Sequence, residues 1–115
     1  MQSLKKTKSF KTVYNSGRKV VNHYFVAYAF ANDEGINRLG VTVSKKVGNA
    51  VVRNRVRRLI KEVCRLKSYK IKKSYDIVIV ARSTAGEIPK DDAFLKVDRA
   101  IESLFGRLRI LLPEA

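Results

Sequence analysis

The chain has 115 residues and a mass of 13.1 kDa, and its 25 Lys and Arg against 10 Asp and Glu give a formal charge of +15. The hydrophobic fraction of 45% is normal for a globular protein and excludes disorder along the whole chain. Because a chain of this size buries about two-thirds of its surface on folding, we expect one domain over residues 1–115.

Cysteine and histidine usage limits the chemistry of the chain. Cys64 is the only cysteine and His23 the only histidine, so no internal disulfide and no Cys/His zinc site is expected. The longest apolar stretch, residues 24–31, is far shorter than the roughly 18 residues of a membrane-spanning helix. The first residues contain no apolar signal-peptide region. We therefore expect a soluble, cytoplasmic protein without a membrane partner and without a metal of its own.

The positive charge is concentrated in two segments. Residues 1–31 carry six basic and no acidic groups, and residues 45–73 carry twelve basic groups and one acid, whereas the rest of the chain is nearly balanced. Self-repulsion on this scale disfavours the compact state unless an anionic partner offsets it. An evenly charged solubilising surface or binding to a membrane surface explains the distribution less well than a polyanion does, and nucleic acid is the usual polyanion.

The start of the chain predicts a short helix. Phe10, Val13 and Tyr14 stand at positions i, i+3 and i+4, and Gly17 follows as a C-terminal stop. We expect this helix to cover about residues 8–16.

The next segment, residues 20–31, alternates as a strand does and is rich in β-branched and aromatic residues. Its large side chains share one face: Tyr24, Val26, Tyr28 and Phe30. Turn residues at 32–35 precede a second alternating run at 39–44, so the two runs are most simply a hairpin. A short extra strand near residues 18–21 is allowed.

The remaining chain predicts two helices with a strand between them. Residues 50–66 repeat apolar side chains at steps of three and four, and residues 75–81 are apolar on both faces, as in a buried central strand. A last helix follows Pro89, with Asp91 and Asp92 in its first turn and Phe94 on its apolar side. The order αβββαβα, without repeats or linkers, predicts one two-layer α/β sandwich with a mixed sheet of about four strands.

The helix over residues 50–66 concentrates the positive charge. Arg53, Arg57 and Lys61 form an i, i+4 row, and Arg55 and Arg58 lie on a neighbouring flank. Like charges at this spacing repel each other. The row is favourable when phosphates lie between the side chains, because guanidinium groups bind them in a forked geometry.

The same segment carries a family resemblance. Ser44-Lys45-Lys46 is followed by Ala50, Arg53, Asn54, Arg55 and Arg58, and the sequence thereby resembles the protein subunits of bacterial ribonuclease P, whose signature is Ala-x-x-Arg-Asn-Arg-x-x-Arg after a Ser-Lys-Lys strand end. The resemblance covers nearly the whole chain, including Phe10, Tyr14 and the strand around Tyr28. It implies a left-handed crossover around the basic helix, opposite to the usual right-handed rule.

The resemblance also implies a function and its partners. Proteins of this family assemble with a catalytic RNA that removes the 5′ leader from precursor tRNA, and the holoenzyme requires Mg²⁺ through its RNA. The chain would be a single RNA-binding domain without catalytic residues and without an obligate protein partner. The RNA-binding set is Lys45, Lys46, Arg53, Asn54, Arg55, Arg57, Arg58, Lys61 and Arg65. A cleft for the single-stranded leader would be lined by Phe10, Tyr14, Val26, Tyr28 and Thr42, with Arg53, Arg57 and Lys61 at its edge.

Other interpretations of the same residues stay open. The aromatic side chains suit a stacking platform for single-stranded nucleic acid, but Phe10 and Phe30 could equally belong to the core. His23 and Cys64 are interpreted as structural residues. Two other functions compete with the ribonuclease P subunit: a ribosomal or nucleoid-like protein that coats nucleic acid through charge alone, and a protein-only nuclease using Asp91 or Asp92.

Overall fold

The computed structural model describes residues 1–113 and contains a five-stranded mixed sheet with helices on both faces. The elements in chain order are β1 (Gln2–Ser3), α1 (Thr7–Ser16), β2 (Arg18–Val21), β3 (Phe25–Ala31), β4 (Arg38–Thr42), α2 (Ala50–Leu66), β5 (Tyr75–Ala81) and α3 (Ala93–Leu108). Short 3₁₀ turns cover Ser68–Lys70 and Ser83–Glu87. The bounds predicted for α2 and β5 are confirmed, and α1 begins one residue earlier than predicted.

The strand order is β1-β4-β5-β3-β2. The predicted hairpin of the third and fourth strands is wrong, because β5 lies between them, antiparallel to β3 and parallel to β4. Apolar side chains on both faces of β5 favour this central position, where most of the strand is buried. The loop 32–37 crosses the end of β5, where Ser74 holds it by two hydrogen bonds. The Ser74 carbonyl accepts one from the Asn32 amide, and the Ser74 hydroxyl accepts the other from the Gly35 amide.

The aromatic run is divided by a tight turn. The Asn22 side chain accepts hydrogen bonds from the Tyr24 and Phe25 amides, and β2 and β3 pair on either side of this turn. The allowed strand near residues 18–21 is therefore present. Tyr24 lies in the turn and packs against the main core, so its predicted place on the face of Tyr28 is wrong.

The main core lies between the sheet and the pair α2 and α3. Its fully buried large side chains include Phe25, Ile60, Ile77, Ile79, Ile101, Leu104, Phe105, Leu108 and Ile110. α1 covers part of the opposite face, where Leu4, Val13 and Val78 form a second buried cluster. Because β4 and β5 are parallel neighbours joined through α2, the chain makes the crossover that the resemblance implies; its left hand stays a prediction.

One group of ion pairs joins α2 to α3, and another joins β4 to β5. Lys67, which ends α2, is buried and contacts Asp98 at 2.6 Å and Glu102 at 2.7 Å on α3. On the α1 face, Asp76 accepts hydrogen bonds from the Arg38 guanidinium at 2.7 Å and 2.9 Å. Partnered charges are tolerated at such positions, whereas removing one partner leaves the other uncompensated.

The beginning of α3 differs from the prediction. The helix starts at Ala93, and Asp92 precedes it in the left-handed region at φ 59°, so neither aspartate lies in the first helical turn. Phe94 is 41% exposed instead of lying in the core, whereas Ala93 beside it packs against the main apolar cluster.

Candidate RNA interface

The predicted cleft residues come together on the α1 face of the sheet. Tyr14 of α1 and Tyr28 of β3 meet edge to face, with ring centroids 5.0 Å apart. The Tyr14 hydroxyl lies 3.2 Å from the Thr42 hydroxyl at the end of β4. Val26 is two residues from Tyr28 on the same face, half-buried beside Val80 of β5. The strand register thus assembles three distant segments into one surface.

This surface is open because α1 has only ten residues and covers part of the sheet. Val13 is fully buried under the helix, whereas Tyr14, one position further, is 38% exposed. An aromatic ring with one face packed and the other in water is able to stack against a nucleobase.

Phe10 has a mixed role. It is half-buried, packs with the second cluster, and lies 6.3 Å from the Tyr14 ring. Its ring occupies the space above Gly40, where a Cβ would come within 2.5 Å of the ring. Phe10 therefore anchors α1 to β4 and also borders the cleft.

Lys19 is a cleft residue that the sequence did not indicate. In the β2–β3 hairpin Lys19 pairs with Tyr28, and its ammonium lies 5.9 Å from the centre of the Tyr28 ring. This distance suits a cation–π contact. The signal was hidden because the turn at Asn22 had to be placed before the register of β2 on β3 could be derived.

The start of the basic helix is fixed by its own sequence and by one close approach. The Asn49 side chain accepts a hydrogen bond from the Val52 amide at 3.0 Å and so caps the N-terminus of α2, a position where Asn is among the preferred residues. In the turn before it, Lys45 and Lys46 are exposed and Val47 is buried. A Cβ on Gly86 would lie 2.0 Å from the Val47 carbonyl oxygen, so glycine is needed for the 3₁₀ turn to pack here.

The basic side chains of α2 differ in how far they are already engaged. Arg55 reaches the Ile88 carbonyl at 3.4 Å, and Arg57 donates to the Asn54 side chain at 2.9 Å. Arg65 pairs with Glu62, and this hydrogen bond lowers the pKa of the Glu62 carboxyl. Arg53 is half-buried, and its Nε is buried without a partner among residues 1–113. Because this Nε is buried, a contact between Arg53 and an external acceptor would have to be made by its terminal guanidinium nitrogens.

The basic helix and the cleft share β4 but lie on opposite faces of the sheet. α2 packs against β4, and Thr42 at the end of that strand belongs to the cleft. Further along the helix, Lys61 and Arg65 line a different hollow of about 190 Å³ with Met1, Gln2 and Leu39. The row therefore extends from the cleft end of the sheet to its β1 edge.

Cys64 and His23, the two residues interpreted as structural, lie in different environments. Cys64 is fully buried in the main core, and burial raises the pKa of its thiol to about 12. His23 is exposed beside Tyr24, and its backbone carbonyl accepts the Thr84 hydroxyl. Asp91 and Asp92 are exposed before α3.

Metal ligands are not clustered in the described part of the chain. Within residues 1–113 no three His, Cys, Asp or Glu side chains come together as a metal ion requires. Nor does any helix of those residues have the length and apolarity needed to cross a membrane.

A helix rich in guanidinium groups beside an open aromatic cleft defines a nucleic-acid-binding α/β protein. The profile of the family described as Ribonuclease P matches residues 1–108. The ribonuclease P protein component of Clostridioides difficile (strain 630) is 46% identical over 110 residues, which cover 95% of this chain and 93% of that protein. The chain belongs to the ribonuclease P protein family.

Solved structures agree in fold. The RNase P protein of Staphylococcus aureus superposes with a TM-score of 0.85 at 32% identity, covering 96% of this chain and 97% of that one. The RNase P protein of Thermotoga maritima superposes with a TM-score of 0.78 at 28% identity, covering 90% and 96%. The protein is accordingly a subunit of the ribonucleoprotein that processes the 5′ end of tRNA, with the RNA subunit and precursor tRNA as its family-level partners.

Proposed function

We propose that the chain acts as one RNA-binding domain over residues 1–115 and that it catalyses no step itself. The catalytic RNA cleaves the precursor tRNA, and the protein supplies leader binding and charge neutralisation. Within residues 1–113 the buried or clustered acids are bound by cations: Asp76 pairs with Arg38, and Asp98 and Glu102 both pair with Lys67. We place this function in the cytoplasm.

The open Tyr14–Tyr28 pair carries the proposal for leader binding. Tyr14 packs edge to face with Tyr28 and is 38% exposed, so part of its ring is accessible to a base. Stacking on an aromatic side chain is worth about 1–3 kcal/mol per base and tolerates any sequence, which suits leaders that differ between tRNAs. The Thr42 hydroxyl and the Lys19 ammonium lie beside the two rings and would contact the sugar-phosphate backbone. Val26 and Phe10 complete the apolar walls of the cleft.

The basic helix would bind the catalytic RNA. Arg53, Arg58 and Lys61 form no ion pair within residues 1–113, and Arg58 and Lys61 are exposed. Arg55, Arg57 and Asn54 are held by hydrogen bonds within the protein, so their positions are defined before the RNA arrives. Arg65 would have to exchange its bond to Glu62 for a phosphate. Lys45 and Lys46 extend the same surface into the turn before the helix.

The Mg²⁺ that the family implies is assigned to the RNA. Residues 1–113 do not fit a protein-borne site, since they contain no group of three potential ligands. The protein would assist metal binding indirectly, because its positive surface allows the RNA to approach the substrate at lower concentrations of free cation.

Cleavage of a 5′-labelled precursor tRNA at low magnesium tests the proposal. Three reactions are compared: the protein alone, a bacterial ribonuclease P RNA alone, and both together. We expect cleavage at the mature 5′ end only in the mixture. Cleavage by RNA-free protein would contradict the division of labour and return Asp91 and Asp92 to consideration as nuclease residues.

A general RNA-coating protein is the second candidate, and the charge of +15 favours it. Such a protein would bind any polyanion of similar length with equal affinity and a steep salt dependence. It would show no preference for precursor over mature tRNA. A mixture that cleaves no better than RNA alone, with folded protein bound, would favour this candidate.

A further inference from the structure

The row of positions along α2 continues past the end of the helix to an exposed aromatic residue. Arg53, Arg57, Lys61 and Arg65 are spaced by four, and Tyr69 is the next position in that series. The helix ends at Leu66, and a 3₁₀ turn over Ser68–Lys70 carries Tyr69. Tyr69 is 77% exposed, more than any other large hydrophobic side chain within residues 1–113.

Tyr69 borders an open hollow of about 330 Å³ at the start of β4 and β5. The walls are apolar and amide groups, from Met1, Gln2, Ile36 and Asn37, and Lys73 supplies a cation. Met1 and Gln2 also line the hollow of Lys61 and Arg65, so the two hollows adjoin. The volume is at the lower end of the range of about 300–1,000 Å³ for ligand sites.

The charges around Tyr69 differ from one side to the other. Towards α3, Lys67 and Lys70 are neutralised by Asp98 and Glu102. On the other side, Lys73 and its neighbour Lys72 are exposed and form no ion pair within the described residues 1–113. A free aromatic face with uncompensated ammonium groups on one side matches a nucleotide, with its base on the ring and its phosphate on a lysine.

We propose that Tyr69 and Lys73 form a second nucleotide-binding point, which takes an unpaired nucleotide of the catalytic RNA. The inference rests on the proposed function, because that RNA is the partner assigned to α2. The leader is not the occupant, since the cleft lies at the Thr42 end of β4 and the hollow lies beyond Arg38 at its other end. RNA that follows the basic row from Arg53 to Arg65 arrives at Tyr69.

Fluorescence provides the test because the chain contains no tryptophan. Tyr69→Trp introduces one indole at the proposed stacking position, and Phe94→Trp introduces one on the neutral side of Tyr69 as a matched control. Each variant is titrated with a bacterial ribonuclease P RNA and, separately, with a leader-bearing precursor tRNA. We expect ribonuclease P RNA to quench the indole at position 69 and to leave that at position 94 nearly unchanged.

Binding measurements complete the test. Tyr69→Ala should weaken binding of ribonuclease P RNA between about 5-fold and 150-fold, the range for the loss of one stacked base, whereas Tyr69→Phe should retain affinity. Because Tyr69 is exposed, these variants should keep the fold, which circular dichroism verifies.

Three results would overturn the inference. If precursor tRNA, added without ribonuclease P RNA, quenches the indole at position 69 as strongly as ribonuclease P RNA does, the site belongs to the substrate. Fluorescence changes at both positions with protein concentration alone would assign the surface to self-association. An unchanged signal at position 69 from protein that still restores cleavage would remove the contact and leave the proposed function intact. Loss of cleavage with the unsubstituted chain would instead contradict the proposed function.

Discussion

Gly40 determines how closely α1 approaches the sheet. Phe10 rests where a side chain at position 40 would begin, and Leu4 lies 3.5 Å from the same point. The packing of α1 on the sheet therefore requires a glycine at position 40, and this packing places Tyr14 beside Tyr28. The geometry of the cleft is thus set partly by a residue that would not contact RNA.

Gly40→Ala should displace the Phe10 ring and destabilise the protein. The added Cβ would lie 2.5 Å from Phe10 Cζ, and overpacking of this kind costs about 1–3 kcal/mol. Urea unfolding followed by circular dichroism measures the free energy of unfolding. Phe10→Leu in the Gly40→Ala background should recover part of the lost free energy of unfolding, since the shorter side chain leaves room for the Cβ at position 40. If Gly40→Ala unfolds at the same urea concentration as the original chain, Phe10 is not seated on Gly40.

Tyr28→Ala should reduce the preference of the holoenzyme for precursor tRNA over mature tRNA. The substitution removes one stacking surface of the cleft, worth about 1–3 kcal/mol per base, without touching α2. Binding of the two tRNAs to the reconstituted holoenzyme is compared, with ribonuclease P RNA binding as the control. Tyr28→Phe should retain the preference. Equal losses for tRNA and ribonuclease P RNA would mean that the substitution disturbs the fold.

At the scale of the elements, patterns local in sequence predicted more than pairings distant in sequence. The bounds of α2 follow from its apolar spacing and the Asn49 cap, and those of β5 from its continuous apolar run. The hairpin prediction failed because alternation identifies a strand but not its neighbour. The turn at Asn22 was hidden inside an apolar run. Two-residue β1 has no pattern to detect.

The candidate site follows the same division. The signature residues on α2 could be listed from the sequence, and the shared face of Val26 and Tyr28 follows from alternation. The contact of Tyr14 with Thr42 needed the tertiary fold, because β5 separates β3 from β4. Lys19 and Tyr69 were missed, since one depends on a hairpin register and the other on the end of a helix.

The pairing of α2 with α3 through Lys67 makes stability depend on pH. Burial alone would lower the pKa of Lys67, but hydrogen bonds to Asp98 and Glu102 outweigh it and raise that pKa. Hydrogen bonds from Lys67 and Lys70 lower the pKa of Glu102. The contribution of Glu102 is therefore complete above its ordinary pKa of 4.5 and is lost as pH falls through the lower folded value. That of Lys67 is complete below 10.5 and is lost as pH rises through the higher folded value.

Glu102→Gln should destabilise the protein at neutral pH and flatten the acid side of its stability profile. The loss at neutral pH should be about 1 kcal/mol, since the partial exposure of Glu102 weakens its ion pairs. Urea unfolding from neutral to acid pH measures both effects. Glu62→Gln is the matched control, because Glu62 pairs only with exposed Arg65 on the surface of α2. A stability profile parallel to that of the original chain would show that Glu102 does not contribute to the acid dependence.

At the scale of the whole molecule, the cations that form no ion pair within the protein are the ones available to bind phosphates. Lys67 and Lys70 are engaged with carboxylates of α3, and Arg38 with Asp76, so these groups contribute little to a phosphate-binding surface. Arg53, Arg58 and Lys61 have no such partner within residues 1–113. Free cations therefore lie along α2, and Lys72 and Lys73 beyond the helix are likewise unpaired within residues 1–113.

Arg53→Ala and Arg57→Ala should each flatten the salt dependence of ribonuclease P RNA binding. Each phosphate contact releases about one counterion, so the slope of log K against log salt should fall in magnitude by about one per substitution. Lys70→Ala is the matched control: it removes the same formal charge, but this lysine is already paired with Glu102, so the slope should change less. Filter binding over a series of salt concentrations gives all three slopes. Equal changes for Arg57→Ala and Lys70→Ala would mean that net charge alone attracts the RNA, which is the behaviour of a general RNA-coating protein.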